Sequence, residues 1–112
     1  MDKIAISESD FHRQADIMLA SLAHAIEVAD EAGTLDVDLA GGILTIELPN
    51  KKHYIINKHA LNKQIWVAST ISGGLHFDYD AVQQRWQLPD GRILEQLIAS
   101  DLETLANIKA AF

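Results

Sequence analysis

The stretch Leu35-Asp36-Val37-Asp38-Leu39-Ala40-Gly41-Gly42-Ile43-Leu44-Thr45-Ile46-Glu47-Leu48 decides the fold, because there the hydrophobic period changes from that of a helix to that of a strand. In Leu35 to Leu39 the three aliphatic residues fall on one face and both carboxylates on the other, the pattern of a half-buried antiparallel strand at an edge or in a meander. Gly41-Gly42 supplies the positive backbone angles of a tight hairpin, and Ile43 to Leu48 is rich in strand formers.

Working back from this hairpin, Phe11, Ala15, Met18, Leu19, Leu22, Ile26 and Ala29 recur at steps of three and four, which predicts an amphipathic helix over Ser7 to Ala32. Ser7 is its expected N-cap, and Gly33 its expected left-handed stop. Working forward, Pro49-Asn50-Lys51-Lys52 makes a turn, and strands are expected at His53 to Asn57, Lys63 to Ser69, Leu75 to Tyr79 and, more briefly, Arg85 to Leu88. Ser72-Gly73-Gly74 reads as a breaker between strands. After Pro89-Asp90-Gly91, the residues Leu94, Leu97, Ile98, Leu102, Leu105 and Ile108 predict a second helix running to the C-terminus. Five or six strands joined by short turns form an antiparallel meander, and two helices with one apolar stripe each cover one of its faces. The expected class is α+β, a two-layer sandwich, with residues 1–112 as a single domain.

Composition narrows the chemistry. With no cysteine among 112 residues, disulfide scaffolds, thiolate metal sites and a cluster bound by the chain's own sulfur are excluded. Sixteen acidic against nine basic residues give a net charge of −7, the wrong sign for nucleic acid. The opening Met1-Asp2-Lys3-Ile4-Ala5-Ile6 lacks the pattern of a targeting peptide and no stretch has membrane-spanning length, so the expected address is the cytoplasm, with no membrane partner.

At 100° per residue, His12, Asp16, His24, Glu27 and Glu31 share about a third of the first helix's circumference, away from the apolar face. Glu8 and Asp30 flank this stripe, and Asp36 and Asp38 extend its acidity onto the following strand. Such carboxylates suit iron, manganese or calcium weakly, with water completing the shell. A solvated helix face has the same composition. His12, Asp16 and His24 cannot form a facial triad, since twelve helical residues separate the two imidazoles by about 18 Å. His53, His59 and His76 have no ligand spacing and read as ordinary surface or turn histidines. In Gln64-Ile65-Trp66-Val67-Ala68-Ser69 the period of two sends Ile65, Val67 and Ser69 to the core face and Gln64, Trp66 and Ala68 to the open face. There Trp66 serves either as an interface anchor or as a cover for neighbouring strand residues; both readings stand.

Gly41-Gly42-Ile43-Leu44-Thr45-Ile46, Ile55-Ile56-Asn57, Gln64-Ile65-Trp66-Val67-Ala68-Ser69 and Gly73-Gly74-Leu75-His76-Phe77-Asp78, in that order, resemble the frataxin family in its bacterial form, as does the opening Ser9-Asp10-Phe11-His12-Arg13. The similarity covers Phe11 onward. It implies a two-helix, one-sheet sandwich whose acidic ridge binds iron weakly, Fe(II) or Fe(III), with other divalent or trivalent cations able to substitute. On matching positions that role falls to Asp16, Glu27, Asp30, Glu31, Asp36 and Asp38, with Glu8, Asp10 and His12 as secondary candidates. The resemblance also implies a partner-binding sheet surface of Asn57, Gln64, Trp66 and Ser69. Its implied partners are the cysteine desulfurase and the iron–sulfur cluster scaffold. In place of the extra carboxylates of the family's first helix, this chain has Ala20, Ala23, His24, Val28 and Ala29, which favours docking over storage. The expected function is a non-enzymatic iron-binding regulator of cluster assembly, monomeric without metal. The alternatives are ferroxidase or iron-storage activity, and an acidic interaction module whose metal binding is incidental.

Overall fold

The computed structural model describes residues 6–112; residues 1–5, which carry most of the N-terminal targeting argument, lie outside the described residues. The element order is α1 (Glu8–Ala29), β1 (Asp36–Ala40), β2 (Ile43–Glu47), β3 (His53–His59), β4 (Gln64–Ser69), β5 (Gly73–Asp80), β6 (Arg85–Gln87) and α2 (Leu94–Ala106). The six strands pair in sequence order, every neighbour antiparallel, in one open sheet. This is the expected helix, meander, helix.

The period of two sorts the sheet into a core face and an open face. Leu44 and Ile46 of β2, Tyr54 and Ile56 of β3, Ile65 and Val67 of β4, Phe77 of β5 and Trp86 of β6 are buried. They pack with Phe11, Ala15, Leu19, Leu22 and Ile26 of α1 and Leu94, Ile98 and Leu102 of α2 in one cluster. Among the described residues, no helix is long and apolar enough to cross a membrane.

The ends of elements depart from the sequence reading for local reasons. Ser7 caps α1, its Oγ accepting from the Asp10 amide at 3.1 Å. The helix stops at Ala29 rather than Ala32, because the Asp30 carboxylate gathers the amides of Thr34 and Leu35 and the Thr34 hydroxyl, folding the chain toward β1. Gly33 takes the left-handed conformation inside that turn, at φ 67°. Strand β3 runs two residues past Asn57 to His59. Gly73 and Gly74 are not a breaker: they open β5, paired with Ser69 and Ala68, and the turn is made by the residues before them. Helix α2 ends at Ala106, where Asn107 turns left-handed and the Ile108 amide reaches back to the Leu102 carbonyl. Ile108 is then buried outside the helix, a Schellman-type stop.

Among the described residues, Asp101 and Ser69 are the buried polar side chains, and they meet in one network. Asp101 of α2 is 5 % exposed and accepts hydrogen bonds from Tyr54 Oη at 2.7 Å, Ser69 Oγ at 2.7 Å and Ser72 Oγ at 2.8 Å. Burial, reinforced by the adjacent carboxylate, pushes the Tyr54 phenol well above its ordinary range, so it remains a donor.

Candidate functional site

The acidic residues of the first helix and first strand form two groups with different commitments. Asp16 is paired with Lys58 Nζ at 2.8 Å, the lysine reaching from β3 with only 18 % of its side chain exposed. Gly42 makes that reach possible: a Cβ there would stand 3.0 Å from Lys58 Cε. Asp10 is paired with Arg13 at 2.9 Å, and His12 Nε2 lies 4.0 Å from Glu8. Asp30, expected as a metal ligand, spends its carboxylate on the turn; burial works against its ionised form, but the amides of Leu35 and Thr34 and the Thr34 hydroxyl outweigh it and hold the carboxyl below its ordinary range.

Glu27, Glu31, Asp36 and Asp38 remain. All four are exposed, and among the described residues no lysine or arginine pairs with them. Glu27 lies in the last turn of α1 and Glu31 in the turn just past the helix end. Asp36 and Asp38 alternate with Val37 on the edge strand against which α1 lies. Among the described residues, no three His, Asp or Glu side chains converge on one point to hold an ion. The arrangement therefore offers carboxylate oxygens singly or in pairs, with water as the remaining ligands, which suits loosely held hard cations.

The second feature is on the open face of the sheet. Trp66 is sandwiched between His59 and His76, with ring centroids at 3.6 Å and 4.0 Å and planes inclined by only 6° and 9°. Its indole N–H donates to Gln64 Oε1 at 2.9 Å, and Gln64 Nε2 donates to Asp78 Oδ1 at 3.1 Å. Both faces of the indole and its N–H are thus occupied within the chain. Asn57 lies directly opposite Trp66 in register, so Asn57, Gln64 and Trp66 share this face as expected.

Ser69 does not belong to that surface. It is 9 % exposed and points into the core toward Asp101, because the alternation that turns Trp66 outward turns Ser69 inward. Conversely, the reading of His59 and His76 as ordinary surface or turn histidines missed the ring stack. The signal lay in register: Trp66 faces His76 across β4 and β5, and extending β3 to His59 puts that imidazole on the face of Asn57.

The sequence matches the family described as a frataxin-like domain over residues 4–108. It is 40 % identical to the mitochondrial frataxin of Dictyostelium discoideum across 85 % of this chain, and the chain spans about half (51 %) of that relative's length. It is 36 % identical to the iron–sulfur cluster assembly protein CyaY of Dechloromonas aromatica, covering 82 % of this chain and 86 % of that one. The fold superposes on the frataxin of Psychromonas ingrahamii with a TM-score of 0.81 at 24 % identity, over 94 % of this chain and 96 % of the other. Trimeric yeast frataxin, in a structure described as complexed with ferrous, superposes with a TM-score of 0.57 at 29 % identity, over 96 % and 91 % of the two chains. The meander and its covering helices, the family match over nearly the whole length and these identities agree: the chain belongs to the frataxin family.

Proposed function

We propose that this protein serves iron–sulfur cluster assembly in the cytoplasm as a non-enzymatic iron-binding adaptor. Its ridge holds Fe(II) or Fe(III) loosely, and it docks on the cysteine desulfurase and its scaffold to adjust cluster synthesis. The observation that carries this reading is the four carboxylates Glu27, Glu31, Asp36 and Asp38, exposed and without cationic partners among the described residues on adjoining elements. Relatives named as cluster assembly proteins, and a yeast relative described with ferrous, support the same assignment. Uncompensated like charges on one surface cost stability in the free protein, and a cation or a basic partner relieves that cost. The donors are too dispersed for a di-iron pair, which needs carboxylates and histidines converging from facing helices. Iron is accordingly cargo or signal here, and other hard cations compete for the same oxygens.

The test is an anaerobic titration with ferrous iron followed by amide NMR. Shifts and broadening are expected at Glu27, Glu31, Asp36 and Asp38, with less at Asp30, whose two oxygens are already bonded, and at Asp16, whose charge is already paired with Lys58. Silence along the four free carboxylates would defeat the metal half of the proposal. Oxygen uptake above the buffer rate on adding Fe(II) would replace adaptor with ferroxidase.

A further inference from the structure

Both helices end at the same cavity. The C-terminal end of α1 and the residues that follow α2 line a hollow of about 710 Å³, within the roughly 300–1,000 Å³ typical of small-molecule sites. Its floor is aliphatic, made by Ala25, Val28 and Ala29 from α1 and by Ile108 and Ala111 from the chain beyond α2. Val28 is 64 % exposed, so the protein leaves this apolar surface open.

Each helix brings its negative end to the hollow. Aligned peptide dipoles leave the equivalent of about half a negative charge at a helix C-terminus, and a basic residue in the last turn is the usual complement. Neither α1 nor α2 has one there. The last carbonyls of α1, at Glu27, Val28 and Ala29, receive no backbone amide from the described residues, and neither do those of Thr104, Leu105 and Ala106 in α2. Glu31 lines the same hollow with a full negative charge, and Lys109 is the one permanent cation among the lining residues. Two helix ends and a carboxylate amount to about −2, which Lys109 reduces to about −1 beside an aliphatic floor.

This combination selects a ligand by its chemistry. An anion meets the wrong sign. A bare metal ion finds one carboxylate, no second acidic ligand, and gains nothing from the aliphatic floor. An alkylammonium satisfies both halves, because its N–H groups donate to free carbonyls while its methylenes cover exposed apolar surface.

We propose that this hollow binds a small aliphatic amine of the polyamine class, with its ammonium groups on Glu31 and the carbonyl ends of α1 and α2 and its methylene stem over Val28 and Ile108. The site needs no iron and stands apart from the cluster-assembly reading. Its test is an amide NMR titration of the metal-free wild-type chain with spermidine, run beside sodium chloride at matched ionic strength. Saturable shifts are expected at Ala25, Val28, Ala29 and Ile108, with Asp36 and Asp38 moving no more than in salt. Lys109→Gln removes the competing charge and is expected to bind spermidine about threefold more tightly. Val28→Lys sets an ammonium of the chain's own over the hollow; it is expected to bind about tenfold more weakly and to melt above the wild type. Both positions are exposed, and should one variant misfold the other carries the test alone. Shifts that sodium chloride reproduces, or that are as large at Asp36 and Asp38, would reduce the effect to screening and overturn the site. Weaker binding by Lys109→Gln, or unchanged binding by a folded Val28→Lys, would overturn it equally.

Discussion

Asp101 places a carboxylate inside the core with hydroxyls as its hydrogen-bond donors. Tyr54, Ser69 and Ser72 each donate to it at 2.7–2.8 Å, tying α2 to β3, to β4 and to the turn before β5. Removing the acceptor leaves buried hydroxyls unpaired, and each unsatisfied buried group costs on the order of 1–3 kcal/mol. Asp101→Ala is therefore expected to destabilise by roughly 3 kcal/mol or more, read as a fall in the urea midpoint. Asp101→Asn keeps one carbonyl acceptor and should lose less. A midpoint unchanged in the alanine variant would mean that water replaces the carboxylate. This network marks a limit of sequence reading. Alternation puts Ser69 on the core face, but its partner lies 32 residues downstream on an element of different period, and nothing local couples the two. The same limit explains why the family resemblance assigned Ser69 to the open surface while its own strand pattern turned it inward.

At the scale of elements, identity and order were legible because each carries a clean period; their ends were not, because turns are decided by side-chain hydrogen bonds. Asp30 read as a ridge ligand, yet its bonds to Thr34 and Leu35 make it the stop of α1. His59 read as part of a link, yet two more paired residues of β3 bring it onto Trp66. The β1–β2 hairpin is the instructive contrast, since Gly41-Gly42 announced it and both residues do take positive φ, at 60° and 78°. The two glycines are not equivalent. Alanine at Gly41 meets no atom within 4 Å and bears only the backbone strain of about 1 kcal/mol, whereas alanine at Gly42 also presses on Lys58 Cε at 3.0 Å. Lys58 must then shift, loosening its contact with Asp16. The expected result is that Gly42→Ala lowers the denaturation midpoint more than Gly41→Ala. A ferrous titration should also report Asp16 as newly responsive in the Gly42 variant alone. Equal losses for the two variants, with Asp16 silent in both, would mean that Lys58 gives way without consequence.

Over the whole molecule, a net charge of −7 was readable at once, but composition could not separate engaged carboxylates from free ones. Lys58 and Arg13 neutralise Asp16 and Asp10, and a turn consumes Asp30, so the repulsion concentrates on Glu27, Glu31, Asp36 and Asp38. Glu27 in the last turn of α1 and Glu31 in the turn just past it are exposed like charges four residues apart in sequence, and exposed like charges that lie close together cost on the order of a few tenths of a kcal/mol. Glu31→Gln removes that repulsion and should raise the melting temperature slightly at low ionic strength. Two cation effects then separate. Simple screening by sodium chloride acts on every exposed charge and should stabilise wild type and variant by similar amounts. Ligation acts only where oxygens face a common water shell, so a trivalent or ferrous ion at micromolar level should stabilise the wild type, and Glu31→Gln clearly less. If both proteins respond equally to the multivalent ion, and sodium chloride at matched ionic strength reproduces the effect, the ridge is a field rather than a set of ligands. Its acidity would then serve docking alone.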